Sequence, residues 1–232
     1  MDGILIVDKP QGCTSHDVVD FIRRKFGLKK VGHAGTLDPM ATGVLVILIG
    51  KYTKSSASFL SADKEYDATL MLGATSDTLD AWGNITPSKP IFGTGSGNIC
   101  GKKEIEEAFN KFLGEIGQVP PSYSAVRFKG KKLYELARRG INVKVEPRKV
   151  TIKEMNIYKI NMPEVSFTVR CSKGTYIRQL SADIGSAMGC GAYLSRLRRT
   201  RSGDFTISEA ISIEKLRSFD SEGLLHHISI TE

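Results

Sequence analysis

An unbroken run of apolar residues from Val44 to Ile49 constrains the fold of this chain more than any other feature. A strand with one solvated face alternates apolar and polar residues, whereas a continuous apolar run is typical of a strand covered on both faces. The run is too short to cross a bilayer, which takes about 20 apolar residues in a helix. We therefore expect a soluble protein in which this strand is packed between layers.

The elements around this strand indicate a mixture of helices and strands. Thr14 and Asp17 have the spacing of a capping box, so a helix is predicted to begin near Ser15 and to end at Gly27. Further strands are predicted at Ile4 to Val7, Tyr66 to Leu72, Val143 to Ile160 and Val165 to Cys171. Further helices are predicted at Lys103 to Leu113, with Leu113 inward, at Leu133 to Arg139 and, as the last one, at Thr175 to Met188. The order follows no strict strand–helix alternation, so we expect a mixed sheet with helices packed on it.

Composition favours a reduced protein with a polyanionic partner. Lysine and arginine number 33 against 25 acidic residues, a formal charge of +8, which suits nucleic acid or an anionic membrane surface without establishing either. No C-x-x-C pair or metal-ligand spacing of histidines occurs, so neither a zinc site nor a disulfide framework is expected. The first residues lack the features of a signal peptide, which predicts a cytoplasmic protein. The four cysteines are Cys13, Cys100, Cys171 and Cys190.

A glycine-rich segment, residues 91–101, invites a phosphate-loop interpretation that its spacing does not support. The position six residues before Lys102 holds Ser96 where a P-loop has glycine, and Lys103 follows where a P-loop has serine or threonine. We interpret residues 83–101 as a surface loop and assign no role to its glycine-rich part.

The loop GHAGTLDPMATGVL, residues 32–45, has the strongest chemical signal. An Asp-Pro pair often just initiates a turn, which is the plain interpretation of Asp38 and Pro39. Glycines on both sides of Asp38, however, let a ligand approach the backbone closely, and the loop leads into the buried strand. A carboxylate held there at the edge of a core is a candidate functional group.

These residues resemble the catalytic signature of the tRNA pseudouridine-55 synthases, the bacterial TruB family related to dyskerin. The resemblance extends over nearly the whole chain, in the family's order. It includes the blocks DKPQGCTSHD, KEYDATLMLGATSDTLDAWG, VPPSYSAVRFKGKKLYELARRG, CSKGTYIRQLSADIG and LRRTRSGDF.

The resemblance implies an α+β fold with a mixed, largely antiparallel sheet and flanking helices, in one catalytic domain spanning 1–232. It implies an enzyme that isomerises uridine 55 in the T loop of tRNA to pseudouridine, without cofactor, metal or obligatory protein partner. Asp38 matches the catalytic aspartate. Whether Asp38 attacks the uracil ring or the sugar, or chiefly abstracts a sugar proton, stays open.

Five further residues match substrate-binding positions of the family. Arg178 matches the arginine that pairs with the aspartate, and Tyr66 the tyrosine that stacks on the target base. Tyr176 and Leu197 match residues that line the uracil pocket. His33 matches the histidine associated with extruding the uridine, which this chemistry requires.

Basic segments are predicted to hold the phosphates of the RNA stem-loop. The family usually carries a C-terminal RNA-binding domain of the PUA type, for which the chain has little room after residues 211–216. Two other functions stay open, an RNA-folding helper and a structural subunit of a guide-RNA particle. The basic residues in question are Arg23, Arg24, Lys25, Lys29, Lys30, Arg127, Lys129, Lys131, Lys132, Arg196, Arg198, Arg199 and Arg201.

Overall fold

The computed structural model of the chain describes residues 1–88, 101–141 and 143–230. They form two compact units, the first made of Met1–Asp67 with Leu197–Glu232 and the second of Ala68–Arg196. Of the predicted surface loop at residues 83–101, the structure describes residues 83–88 and Gly101. None of the helices in the described ranges combines the length and the hydropathy that a bilayer span requires.

The strands and helices are intermixed along the chain, as predicted. The strands are β1 (Gly3–Lys9), β2 (Val31–Ala34), β3 (Thr42–Ile49), β4 (Lys64–Leu72), β5 (Ala74–Ser76), β6 (Ile85–Pro87), β7 (Gly114–Gln118), β8 (Arg127–Phe128), β9 (Lys131–Lys132), β10 (Arg148–Asn161), β11 (Glu164–Cys171), β12 (Ala192–Ser202), β13 (Phe205–Thr206) and β14 (Ile211–Ser212). The helices are α1 (Ser15–Lys25), α2 (Ser56–Ser61), α3 (Lys102–Asn110), α4 (Leu133–Ala137), α5 (Ile177–Ala187), α6 (Ile213–Ser218) and α7 (Ser221–Leu225), with 3₁₀ turns at Gly50–Ser55 and Ile207–Glu209.

Strand β3 is the centre of the first unit. It pairs antiparallel with β1 and β2, and its first residues pair parallel with β12. Strand β14 adds to β1 in parallel. Each residue of the Val44–Ile49 run is at most 1% exposed, so the predicted strand covered on both faces is confirmed.

The second unit contains three complete strands of the sheet in the order β11-β10-β7. Strand β10 pairs antiparallel with both β11 and β7. Helix α3 packs against α5 and β10, and the ring of Phe109 meets that of Phe167 edge-on, with centroids 5.1 Å apart. The predicted α+β class with a mixed, largely antiparallel sheet is confirmed.

Several predictions from the sequence are wrong. The strand predicted to begin at Val143 begins only at Arg148, and the predicted surface loop at residues 83–101 contains β6 at Ile85–Pro87. Helix α3 ends at Asn110, and Leu113 beyond it is 42% exposed instead of inward, because the chain has left the helical path before the position that would face the core. The helix at Ile177–Ala187 is not the last, since α6 and α7 follow. Both are short, and each begins at a polar cap, Ser212 and Asp220.

Candidate active site

Asp38 lies in the loop that connects β2 to β3 in the first unit, and its side chain is half-buried. A turn follows it, in which the amide of Ala41 donates to the Asp38 carbonyl at 3.0 Å. The amide of Gly12 donates to the Pro39 carbonyl at 2.9 Å. The backbone on the carboxyl side of Asp38 is therefore fixed both within the loop and by the segment before α1.

Ser15 fixes the backbone on the other side of Asp38. Its hydroxyl is buried, donates to the carbonyl of Leu37 at 3.1 Å and accepts from the Leu37 amide at 2.8 Å. Ser15 is the first residue of α1, whose predicted capping box between Thr14 and Asp17 is confirmed. The cap that starts the helix thus also positions the serine that holds the loop.

Arg199 joins the two ends of the same loop from inside the core. It is 1% exposed, and its guanidinium donates to the carbonyls of Gly35 at 3.0 Å and Val44 at 2.7 Å. Gly43 lies against it with φ of +102°, and a side chain there would collide with the Arg199 backbone. The prediction that Arg199 binds RNA phosphates is wrong, because its charge faces protein carbonyls.

Lys9 places a second buried cation beside the loop. It has no exposed surface, and its ammonium donates to the carbonyls of Pro10 at 2.8 Å and Cys13 at 2.7 Å. Burial lowers the pKa of Lys9, while Cys13 and the nearby carboxyl of Asp38 act to raise it. Asp38 therefore lies within electrostatic range of an ammonium group that the protein keeps out of water.

His33 lies on β2, where it is in register with Ile47 of β3. It is half-buried, and its buried Nδ1 has no hydrogen-bond partner among the described residues. Burial, followed by the charges of Arg199 and His16, lowers the pKa of His33 below its ordinary 6.5. The imidazole is therefore neutral at neutral pH.

Tyr66 and Leu197 complete the predicted residues of the first unit. Tyr66 is 9% exposed, on the same face of β4 as the buried Lys64. Leu197 is half-buried, next to Arg198, which is in register with Thr42 at the end of the Asp38 loop. The side chain of Leu197 shares its strand face with Arg199.

Tyr176 and Arg178 belong to the second unit, at the start of α5. The amide of Tyr176 donates to Oε1 of Gln118 at 2.8 Å, and Nε2 of Gln118 donates back to the Tyr176 carbonyl at 3.1 Å. Arg178 is 4% exposed, and its guanidinium donates to the carbonyls of Tyr123 at 2.6 Å and Thr78 at 3.3 Å. The guanidinium also lies over the Tyr176 ring, 5.9 Å from its centroid.

The structure thus places His33, Asp38, Tyr66 and Leu197 in one unit, and Tyr176 and Arg178 in the other. Lys9, Ser15 and Gln118 have roles that the sequence patterns alone did not predict. The first two lie inside the DKPQGCTSHD block, so that motif is the signal that could have found them. Gln118 directly precedes the VPPSYSA block and carried no signal of its own.

A carboxylate in this setting can act as a nucleophile or a base. The loop backbone is fixed on both sides, so the carboxylate loses little freedom when a substrate arrives. The carboxylate is only half-buried, so a substrate can reach it, and a carboxylate oxygen can serve in either role.

Comparison with known proteins finds similarity over nearly the whole chain. Residues 23–177 match the model of the TruB family pseudouridylate synthase N-terminal domain, and residues 178–228 match that of the tRNA pseudouridylate synthase B C-terminal domain. A tRNA pseudouridine synthase B of Azoarcus sp. (strain BH72) is 46% identical over 98% of this chain and 75% of the relative. That of Alkaliphilus oremlandii (strain OhILAs) is 49% identical over 95% of this chain and 72% of the relative.

Solved structures show similarity to the same kind of fold. A chain of a Cbf5-Nop10-Gar1 complex is 33% identical, with a TM-score of 0.70 over 91% of this chain and 52% of the other. A chain of an H/ACA RNP bound to a substrate RNA containing 2′-deoxyuridine is 31% identical, with a TM-score of 0.66 over 91% of this chain and 51% of the other. This chain spans about half the length of these solved chains.

Proposed function

The chain belongs to the TruB family of pseudouridylate synthases, and we propose that it converts uridine 55 in the T loop of tRNA to pseudouridine. In this isomerisation the C1′–N1 bond breaks, the uracil turns, and a bond forms between C1′ and C5. The proton on C5 leaves and N1 gains one, so the atoms balance without an oxidant, a reductant or a second substrate. The reaction needs a nucleophile or base and a site that retains the detached uracil.

We assign the reactive carboxylate to Asp38, and its loop is the observation that carries the assignment. Ser15 and Arg199, both buried, bind the loop backbone through four hydrogen bonds of 2.7–3.1 Å, and the Lys9 ammonium lies within electrostatic range. A carboxylate fixed in this way needs little reorganisation to reach a substrate atom. It acts on the uracil ring or the sugar by covalent catalysis, or on a sugar proton as a base.

The other five residues are proposed to bind the uridine. Tyr66 and Leu197 of the first unit offer an aromatic and an aliphatic surface suited to a flat uracil ring. Tyr176 and Arg178 are assigned to the substrate by the family motif Tyr176-Ile177-Arg178. His33, neutral at neutral pH, assists extrusion of the uridine from the stacked loop.

The proposed partner is the T stem-loop of tRNA, held mainly through its phosphates by exposed basic residues. Recognition of this kind depends on the shape of the folded RNA and weakens as salt rises. The proposal requires no cofactor and no obligatory protein partner, and it places the reaction in the cytoplasm.

Replacing Asp38 with Asn tests the proposal directly. We expect Asp38→Asn to bind an unmodified tRNA transcript with near wild-type affinity and to form pseudouridine at least about 1000-fold more slowly, a loss of about 4 kcal/mol of transition-state stabilisation. Asp204→Asn, an exposed aspartate of the same unit, is the matched control and should react at the wild-type rate. Pseudouridine is measured by mass spectrometry of the digested transcript.

The same assay separates catalysis from assisted RNA folding. If the purified wild-type protein binds the transcript and forms no pseudouridine, the chain is an RNA-folding helper instead of an enzyme. If Asp38→Asn and Asp204→Asn form pseudouridine equally fast, Asp38 is not the reactive group.

A further inference from the structure

The chain contains a single tryptophan, Trp82, and it is exposed. Its relative exposure is 53%, although tryptophan is highly buried on average in folded proteins. Trp82 lies in the turn between β5 and β6 of the second unit. It is not among the residues that the family motifs assign to the uridine.

The turn that presents Trp82 is internally braced. One carboxylate oxygen of Asp80 accepts from the Thr78 hydroxyl at 2.7 Å and from the Trp82 amide at 3.0 Å. The carboxylate of Asp77 accepts from both the amide and the side chain of Asn84 at 2.8 Å. An aromatic ring on a backbone fixed in this way loses little entropy when a ligand covers it.

The same turn is attached to the segment that carries the proposed substrate-binding residue Arg178. The Thr78 carbonyl accepts from the Arg178 guanidinium at 3.3 Å. The Leu194 amide donates to the Leu79 carbonyl at 3.0 Å, and the Ala81 amide donates to the Leu194 carbonyl at 2.9 Å. Trp82 is therefore held on a framework shared with Arg178 and with strand β12.

An exposed arginine accompanies the tryptophan. Asp80 and Leu194 form a parallel bridge. Trp82 lies two residues after Asp80, and Arg196 lies two residues after Leu194; both are exposed. An exposed aromatic ring and an exposed guanidinium on two bridged segments offer the two interactions that a nucleotide needs, stacking for its base and hydrogen-bond donors for its phosphate.

We propose that Trp82 stacks on a base of the bound RNA other than the target uridine, with Arg196 binding an adjacent phosphate. The proposal rests on the proposed function, because the ligand is the same tRNA. Trp82 is then a residue that contributes to RNA affinity and places the RNA, whereas Asp38 carries the chemistry. The stacked base adds to the interactions of the uridine-binding residues of the family motifs.

Because Trp82 is the only tryptophan in the sequence, the tryptophan fluorescence of the wild-type protein reports on this position. A base stacked on the indole quenches its fluorescence, so titration with unmodified tRNA transcript should quench the signal with the same midpoint as binding measured by filter retention. Heparin, a polyanion without bases, should bind and leave the emission nearly unchanged. Unchanged emission at saturating transcript, in a sample that forms pseudouridine, would overturn the stacking interaction and leave the proposed function intact. Absence of both binding and pseudouridine would overturn both.

Three variants test the contribution to affinity. Trp82→Ala should raise the Kd for the transcript about tenfold or more, the loss expected for one stacked base, with single-turnover rates at saturating RNA within about threefold of wild type. Trp82→Phe should recover most of the affinity. Tyr158→Ala, which removes another exposed aromatic of the same unit (55% exposed), should bind like wild type. Equal affinities of Trp82→Ala and wild type would refute the proposal.

Discussion

Arg199 of strand β12 and the lysines of the hairpin formed by β8 and β9 carry the same formal charge in opposite surroundings. Arg199 is buried and donates to two carbonyls that anchor the Asp38 loop. Lys129 and Lys131 are exposed, and the Lys129 ammonium lies 5.6 Å from the ring of Phe128, its neighbour in the chain. The first cation is part of the protein framework, and the other two remain available to phosphates.

The difference shows that the role of a basic residue depends on the hydrogen-bond acceptors around it as well as on its charge. A buried guanidinium is tolerated where carbonyls or carboxylates replace its water. In the first unit those carbonyls belong to the loop of the candidate catalytic residue, so stability and activity depend on the same hydrogen bonds. In the hairpin, loss of a lysine removes charge without leaving a buried group unsatisfied.

The largest expected effect comes from removing the buried charge. Arg199→Met keeps side-chain length but leaves the carbonyls of Gly35 and Val44 without their donor, so we expect a loss of about 3 kcal/mol or more in the free energy of unfolding. Activity should fall with it, because the Asp38 loop loses its anchor. Arg201→Met, which removes an exposed arginine paired with Glu65 at 3.5 Å, should cost less than about 1 kcal/mol. Urea unfolding measures both, and equal midpoints for the two variants would contradict the distinction.

A smaller effect, on binding alone, is expected at the hairpin. Replacing Lys129 and Lys131 with Ala should leave the urea midpoint unchanged and weaken RNA binding. The slope of log affinity against log salt should fall by up to about two, one for each phosphate that the variant no longer binds. Lys102→Ala with Lys103→Ala removes the same charge from α3, where both lysines are exposed. If both pairs reduce the slope equally, net charge explains binding and the hairpin has no special part in it.

The smallest effect is expected at His33, which lies between the two extremes as a half-buried base. Its pKa is lowered in the folded state, first by burial and then by Arg199 and His16, so the unfolded state binds the proton more readily. Stability should therefore be complete above the ordinary pKa of 6.5 and fall as pH drops below it, with a slope of at most about 1.4 kcal/mol per pH unit from this group. His33→Gln should flatten the fall between about pH 7 and 5, whereas His226→Gln, an exposed histidine, should not. Parallel profiles for His33→Gln and wild type would contradict the assignment.

Features that depend on neighbours in sequence were predicted correctly. The capping box of α1 joins residues three apart, and the alternation of Val165, Phe167 and Val169 placed one face of β11 in the core, where all three are at most 2% exposed. Predictions weakened where a local pattern ended. Leu113 continued the periodicity of α3 past the end of the helix, and α6 and α7, with 6 and 5 residues, are too short for a helical period to show.

The sequence by itself determined the class of fold, the family and the motif residues. Strand periodicity, helix caps and short motifs each depend on residues that are close together in the chain. Only the tertiary structure decided which charged side chains are buried and bind the protein's own backbone. Arg199 meets the carbonyls of Val44 and Gly35 from 155 and 164 residues away, and Gln118 holds Tyr176 across 58 residues. Whether a charged or polar side chain is buried depends on acceptors that only the folded chain brings within hydrogen-bonding distance.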